Sequence, residues 1–553
     1  MPSVSAHVAL TLAQHIDAVF GVMGNGNAYF LDAIERQTDA VFTAVRHEQG
    51  AVVAADAHFR ASGRIAAGTS TYGAGFTNTL TALAEAVQAR VPLVLVVGDE
   101  PTSGPRPWDV DQIALASAVG ARTYTVGHAD AAATTVIAIE HALTYRLPVV
   151  LAIPYDVATL DAGSVPEVPA PRLLTPLAPK GEFAEGMLDE IAAALSQAER
   201  PFLLAGRGAW LAGAGDALGE LAALTGALTA SSALGRGVFP DGRFDLGVTG
   251  GFGADGAMEL IRTADVAVVF GAALNQFTMR FGELFAPGTR VFQIDIAPAA
   301  THAHIGGFVR ADARVAAEAL VARVGSASST AAPGLPWRES VDVAAARTYE
   351  KGDDLAADGR LDPRSAARRI AELLPRDRVV VSDGGHFIGW ANMYWPVEAP
   401  DRMMMVGTAF QSIGQGWPSM VGAALARRES TIVLTSGDGG GLMAIADLES
   451  AVRAAAGRGI AVIWNDAAYG AEVNLYGLKG LAEGPMRIPE VDFAAFGAAV
   501  GAEGVVVKTL ADLDRLAAWA QEDAATRRFL LLDLRISGDV IAPYQQEIIR
   551  VNS

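Results

Sequence analysis

The chain has no cysteine. That excludes disulfides, thiolate nucleophiles and zinc or iron–sulfur sites that need sulfur ligands. It lacks any apolar run of about 18 residues, the length a membrane-spanning helix requires. It opens on Met1-Pro-Ser-Val4, without the basic stretch of a secretory leader. A cytoplasmic protein with no membrane partner is the expectation. Positive charge is scarce as well: 42 Lys and Arg stand against 61 Asp and Glu, a formal charge of −19. So acidic a surface repels nucleic acid and anionic lipid, and neither is expected as a partner. A local basic pocket for a phosphate stays compatible with it. No strong short-period repeat is visible, although the chain is rich in Ala and Gly.

What is present is a long chain of ordinary globular composition, 553 residues with 51% hydrophobic and 19% charged. One hydrophobic core cannot serve that length, and three domains are expected. Residues 1–165 alternate strands with helices. The strands read as Ala18–Met23, Val41–Val45, Ala66–Thr71, Pro92–Val97 and Pro148–Ile153, with a helix over Ala51–Ala61. Val165–Lys180 is Pro-rich and aperiodic, a linker. A second domain, 183–325, holds the helix Phe183–Gln197 and strands at Pro201–Gly206, Val266–Phe270 and Arg290–Asp295. Ser326–Pro336 reads as a second linker. The third domain, 355–553, holds the helix Pro363–Leu374, a helix from Ser419, and strands at Arg378–Ser382, Thr431–Thr435, Ile460–Trp464 and Phe529–Asp533. Alternation of this kind predicts α/β domains with doubly wound parallel sheets. The first and third share a pattern of strands ending in polar or Gly-rich turns, as a duplicated fold would.

One constellation carries chemistry. The apolar run Thr431–Thr435 leads into Gly437-Asp-Gly-Gly-Gly441, and the run Ile460–Trp464 leads into Asn465. Leu442–Ala456 between them has helical spacing, so the unit is β-α-β and its two strands lie parallel. Asp438 and Asn465 then sit at carboxyl ends of strands, where open α/β sheets bind ligands. A carboxylate and an amide oxygen beside a flexible glycine loop suit a hard cation such as Mg²⁺ that keeps phosphate ligands.

Gly437-Asp-Gly439, 25 residues, then Asn465 resembles the thiamine-diphosphate motif of the acetolactate synthase, pyruvate oxidase and benzoylformate decarboxylase superfamily. Arg46-His-Glu-Gln-Gly-Ala51, with Ala54-Ala-Asp56 and Arg60-Ala-Ser-Gly63, is similar to that family's segment bearing a catalytic glutamate. Gly73-Ala-Gly-Phe-Thr-Asn78 resembles its Gly-Pro-Gly-x-x-Asn turn, with Ala74 in place of Pro. The resemblance spans the chain in the order pyrimidine-binding, central Rossmann-like and diphosphate-binding domain. It implies Glu48 as the catalytic carboxyl on the pyrimidine ring, Ile413 as the wedge under the bent cofactor, and Gln411 as a backbone partner of the pyrimidine. It implies Gly24, Asn25, Gly73, Asn78, Gly384, Gly385, His386, Gly437, Gly439, Gly440 and Tyr469 as cofactor contacts. Asp438, Asn465 and the carbonyl of Ala467 match the metal ligands. His47, Trp108, Gln112 and Glu472 fall where relatives line the substrate pocket. Each residue also has an ordinary reading: Glu48 as a favourable charge at a helix start, Asp438 as an N-cap, Ile413 as core, Glu472 as a solvated charge.

The implied reaction is a lyase or carboligase reaction on a 2-oxo acid: decarboxylation, then protonation or addition to a carbonyl acceptor. The alternatives are non-decarboxylating cleavage of a diketone or acyloin, and a catalytically silent regulatory paralogue. Acetolactate synthases usually carry Phe-Gln-Glu after the Pro-rich loop, whereas this chain has Pro107-Trp-Asp-Val-Asp-Gln112. The adjacent His-His pair of pyruvate decarboxylases is also missing. The resemblance further implies a homodimer or homotetramer with shared active sites, and a central frame that holds FAD in some relatives and nothing in others.

Overall fold

The computed structural model describes residues 2–327 and 337–552. Most of the second linker, from 328 to 336, therefore lies outside the described residues. The first sheet contains β1 (Ala18–Gly21), β2 (Val41–Ala44), β3 (Ala67–Ser70), β4 (Leu93–Asp99), β5 (Arg122–Thr125) and β6 (Pro148–Pro154), in the order 2-1-3-4-6-5. The second contains β7 (Pro201–Ala205), β8 (Leu228–Ser231), β9 (Asp245–Val248), β10 (Val266–Phe270), β11 (Arg290–Asp295) and β12 (Ile305–Arg310), in the order 12-11-10-7-8-9. The third contains β13 (Arg378–Ser382), β14 (Met403–Met405), β15 (Thr431–Gly437), β16 (Gly459–Asn465), β17 (Glu503–Val507) and β18 (Leu530–Arg535), in the order 14-13-15-16-18-17. All ladders are parallel. The fold is α/β, three doubly wound parallel sheets.

The first and third sheets have the same topology, strand for strand, so equivalent loops can be matched. The loop after β1 corresponds to that after β13, the loop after β2 to that after β14, and the loop after β3 to that after β15. In both sheets the chain reverses direction between the first and third strands, opening a crevice at their carboxyl ends. The central sheet has the dinucleotide-fold order, 3-2-1-4-5-6 counted from its own first strand. Its switch-point loops touch through main chain, Gly208 N–H donating to Gly271 O at 2.9 Å.

Two equivalent helices join the outer sheets. Glu48–Ser62 follows β2, and Gly416–Ala426 follows β14. Both are lined with small residues, which permits a close crossing. A Cβ on Gly422 would stand 2.0 Å from the Ala54 carbonyl oxygen. One apolar cluster runs through both helices, from Ala51, Val52 and Phe76 to Trp417, Met420, Val421, Leu434 and Phe493. Buried charges reinforce the seam. Arg60 pairs with Asp56 and with Glu85 at 3.1 Å, and Glu85 accepts the Phe410 N–H at 2.7 Å. Burying a charge is tolerated only with partners, and here each has at least one.

The central strands of the third sheet are apolar runs and lie where the sequence places them. Strands β5, β8, β9, β12, β14 and β17 were not anticipated, although the three residues of β14, Met403–Met405, and the end of β17 are apolar. The first Pro-rich linker has no helix or strand across 165–180. Among the described residues, no helix is long and apolar enough to cross a membrane.

Candidate active site

In the third sheet, Gly437 pairs with Trp464, so Asp438 and Asn465 leave adjacent strands side by side. Both are buried, at 3% and 0% exposure. Asn465 donates through Nδ2 to Asp533 Oδ1 at 2.9 Å and to Val491 O at 3.0 Å. Those bonds spend both amide hydrogens and fix the flip of the amide. Asn465 Oδ1 is left without a partner, and so are Asp438 Oδ2 and Oδ1 of the next residue, Asp466. Asp438 Oδ1 accepts the Gly439 N–H at 3.0 Å. Burial, then the neighbouring Asp466 charge, pushes the Asp438 carboxyl up to about 7. Each orphaned acceptor costs about 1–3 kcal/mol, and three on adjoining strand ends are what a cation would satisfy. Among the described residues no three His, Asp or Glu side chains cluster as ligands. The free donors here are hard oxygens, a set that would suit Mg²⁺ better than a softer metal. Ala467, a third donor candidate, sits in the left-handed region at φ 59°, and its carbonyl already accepts the Ile488 N–H at 2.9 Å. Its second lone pair is free to bind.

The expected flexible glycine loop is not a loop. Asp438–Met443 is helical, and Gly439 to Gly441 lie within it. The glycines answer to close packing instead. A Cβ on Gly439 would meet the Tyr469 ring at 2.6 Å, and one on Gly440 would meet Asp383 Oδ2 at 2.7 Å. The single helix expected over Leu442–Ala456 is likewise broken, with a short turn at Ile445–Asp447 before Leu448–Ala455. At that turn the Asp447 carboxylate accepts the Arg46 N–H at 2.6 Å, and a Cβ on Gly50 would stand 2.5 Å from its Oδ2.

Across the crevice, the loop after β13 carries Gly384, Gly385 and His386. Asp383 is its bolt: Oδ1 accepts N–H groups from Gly384, Gly414 and Gln415 at 2.8, 3.0 and 3.2 Å, and Oδ2 accepts from Ser436 Oγ at 3.2 Å. Gly385 adopts φ 143°. Gly384 faces Ile413, whose Cγ2 would stand 3.0 Å from a Cβ there. Ile413 is half-buried, and Gln411 beside it is exposed and left-handed at φ 59°. His386 is buried, its Nε2 lying 3.1 Å from Asp466 Oδ2. Burial opposes protonation of that ring, but Asp466 above all, with Asp438 and Glu472, raises its pKa. Glu472 itself is exposed.

The first sheet gathers a second cluster at its own switch point. Glu48 begins its helix, half-buried, and Oε2 accepts from Asn78 Nδ2 at 2.9 Å. Gly75 lies beside it, and a Cβ there would stand 2.6 Å from Thr71 Cγ2 and 2.8 Å from Ser70 Oγ. Gly73 takes φ 62°, under the Trp108 carbonyl. Gly24 N–H donates to Asn27 Oδ1 at 2.8 Å, and the exposed Asn25 donates through Nδ2 to Tyr72 OH at 2.9 Å. His47 is exposed and caps the helix, Nδ1 accepting the Gln49 N–H at 3.2 Å. Trp108 is 60% exposed. Gln112 differs: it is buried, with Oε1 taking the Gly73 N–H and Nε2 bonding Gly98 O and Asp99, so it braces the turn with both ends of its amide. Asp383, Asp466, Asp533 and Tyr544 escaped the sequence reading. A carboxylate closing an apolar strand, as in Leu530-Leu-Leu-Asp533, was a visible sign for one of them.

Two crevices at strand ends, one holding a carboxyl on a glycine turn and the other orphaned hard oxygens on a glycine helix, define a cofactor-dependent α/β enzyme. Three family profiles agree. They match the N-terminal TPP binding domain of thiamine pyrophosphate enzymes over residues 2–115, the central domain over 188–321 and the C-terminal TPP binding domain over 383–534. The chain belongs to the thiamine pyrophosphate enzymes. It is 27% identical to a probable acetolactate synthase large subunit of Methanocaldococcus jannaschii, over 80% of this chain and 76% of that one. It is also 27% identical to a sulfoacetaldehyde acetyltransferase of Roseovarius nubinhibens, over 98% and 93%. Acetolactate synthase isozyme 3 large subunit of Escherichia coli is 26% identical over 95% and 93%. A crystal structure of a protein assigned as a thiamin diphosphate-dependent enzyme from Mycobacterium smegmatis superposes with a TM-score of 0.77 at 21% identity, covering 96% of this chain and 99% of that one.

Proposed function

We propose that this enzyme is a Mg²⁺- and thiamine-diphosphate-dependent lyase or carboligase acting on a 2-oxo acid. The observation that carries the reading is the set of buried, unpartnered oxygens, Asp438 Oδ2, Asn465 Oδ1 and Asp466 Oδ1, at adjoining strand ends. They and the Ala467 carbonyl would hold the cation, and Gly384, Gly385, His386, Gly437, Gly439 and Gly440 would border the diphosphate. Tyr469 would back that helix, Ile413 would support the bend, and the Gln411 backbone would meet the pyrimidine. When bound, the cofactor supplies a nucleophilic carbon and an electron sink for the carboxylate carbon–carbon bond. Glu48, oriented by Asn78, would hold and share the proton at the far pyrimidine nitrogen. Gly24, Asn25 and Gly73 would border that ring, and His47, Trp108 and Glu472 would face the substrate.

Met23, Trp108, Phe410 and Met443 are 66%, 60%, 48% and 58% exposed beside these clusters. Apolar side chains there support a second copy closing the site, a dimer or tetramer that analytical ultracentrifugation measures. Calorimetry with thiamine diphosphate and Mg²⁺ tests the core of the reading, and absence of binding would refute it. Glu48→Ala should then abolish proton exchange at the thiazolium carbon. Carbon dioxide release from a panel of 2-oxo acids, with and without aldehyde acceptors, identifies the reaction. Sulfoacetaldehyde, which has no carboxylate to lose, should be assayed beside that panel by its consumption, because relatives named for its acetyltransferase match nearly the whole chain. Visible absorbance of the purified protein reports FAD.

A further inference from the structure

The central sheet has the strand order of a dinucleotide-binding frame. Such a frame seats a diphosphate on the N–H groups of its first βα turn, at the switch point. Here that turn is Gly206-Arg-Gly-Ala-Trp210, after β7, and its N–H groups already have acceptors. Gly206 donates to Phe270 O at 2.9 Å, Gly208 to Gly271 O at 2.9 Å, and Ala209 and Trp210 to Gly206 O at 3.1 and 3.3 Å. The loop after β10 lies directly on the turn. A Cβ on Gly271 would stand 2.3 Å from Ala209 N, and one on Gly206 would stand 2.4 Å from Gly271 O. That loop is anchored in its turn: Gln293 Nε2 donates to Ala272 O at 2.9 Å, and Thr301 Oγ1 accepts the Leu274 N–H at 3.0 Å. The loop after β8 closes the other flank. Ser232 N–H donates to Ala205 O at 3.0 Å, and a Cβ on Gly235 would stand 2.8 Å from Gly206 Cα. The end of β8, where such a frame presents a carboxylate to a ribose, carries Ser231, 1% exposed. The cation of the turn is engaged elsewhere. Arg207 donates to the Ala89 carbonyl, at the end of the first-domain helix Leu80–Gln88.

We propose that this switch point is a sealed joint between the central and first domains and takes no dinucleotide, FAD included. A diphosphate needs unpaired N–H groups and room for its oxygens. Here it would have to break the Gly208–Gly271 bond and part backbones already in contact on both flanks. The glycines at 206, 235 and 271 answer to that closure, since a side chain at any of them would collide with the neighbouring main chain. Arg207 is the strut of the joint, a guanidinium on the last carbonyls of a helix, where a positive charge is favoured. The inference is independent of the thiamine-diphosphate reading. Calorimetry on the full chain, with thiamine diphosphate and Mg²⁺ present, should show no saturable binding of FAD, NAD or ADP up to about 1 mM. Saturable binding of any of the three, or a flavin spectrum in the purified protein, would overturn the seal. Hydrogen exchange tests the strut. Arg207→Met should raise exchange about tenfold across residues 80–91, as expected for one lost charge-assisted hydrogen bond. Arg207→Lys keeps a donor and should retain the protection. Unchanged exchange over 80–91 in Arg207→Met, or equal loss in both variants, would overturn the role of Arg207.

Discussion

Asp438 is costly to fold into place, since its carboxylate is buried with one oxygen unpartnered. Asp438→Asn should therefore stabilise the cofactor-free protein by about 1–3 kcal/mol, read from the urea midpoint. The same change should weaken Mg²⁺-dependent cofactor binding by more than about a hundredfold, read by calorimetry. A loss of stability would argue that the orphaned oxygens are not a reserved site. Two buried groups far from that site make stability depend on pH in opposite senses. Burial lowers the His58 pKa from 6.5 to about 4, so the unfolded chain takes up that proton first. His58 stability is whole above pH 6.5 and is lost as pH falls toward 4. Burial raises the Asp245 pKa from 3.8 to about 6, so the folded chain takes up that proton first. Its contribution is whole below pH 3.8 and is lost as pH rises through 6. These two slopes oppose each other in the wild-type protein, and the raised Asp438 carboxyl acts in the same sense as Asp245. Relative to wild type, His58→Gln should tilt the change in stability between pH 4 and 6 downward and Asp245→Asn should tilt it upward, each by about 2–3 kcal/mol. Urea midpoints at pH 4.5 and 6 decide it.

At the scale of elements, glycine governs how close the crevice walls come. Gly439→Ala places a methyl against the Tyr469 ring, with Ile488 behind it. Overpacking of that kind costs about 1–3 kcal/mol, and the helix that starts at Asp438 should shift. Reduced cofactor affinity with the fold retained, seen by circular dichroism, is the expected result. Gly422 sets the crossing of the two equivalent helices. Gly422→Val should separate them and destabilise the protein by at least about 3 kcal/mol, measured by thermal melting. Because Glu48 begins one helix and Ile413 precedes the other, that separation should also impair cofactor binding.

Over the whole molecule, the outer domains share one apolar cluster and a buried Arg60–Asp56–Glu85 network at their seam. The central domain meets the third through Val248 and Phe252, which join its apolar cluster, and through the buried Arg236 donating to Asn392 Oδ1 at 2.9 Å. The outer pair should therefore unfold as one unit. Glu85→Ala leaves Arg60 with less compensation and Phe410 N–H without its acceptor, at a cost of about 3–5 kcal/mol. Scanning calorimetry should show the transition of the outer pair move to lower temperature and part from that of the central domain. An unchanged single transition would contradict that account of the seam.

The sequence by itself determined the three α/β sheets, the β-α-β unit and the placing of Asp438 and Asn465 at neighbouring strand ends. Those features are local: apolar runs read as buried parallel strands, and the crossover rule puts consecutive strands of a β-α-β unit side by side. Only the tertiary structure decided the rest. It turned the glycine stretch from a loop into a helix, because the neighbours that demand glycine, Asp383, Tyr469 and Phe493, come from distant segments. It revealed that Gln112 braces the Gly73 turn, that Asp533 orients the Asn465 amide, and that Asp466 reaches His386 over β15. The edge strand β5 went unread because pairing to a neighbour, not an apolar pattern, makes it a strand, and β14 because its apolar run is only three residues long. A sequence shows which groups leave the ends of strands, while the orientation of each depends on contacts that long-range packing supplies.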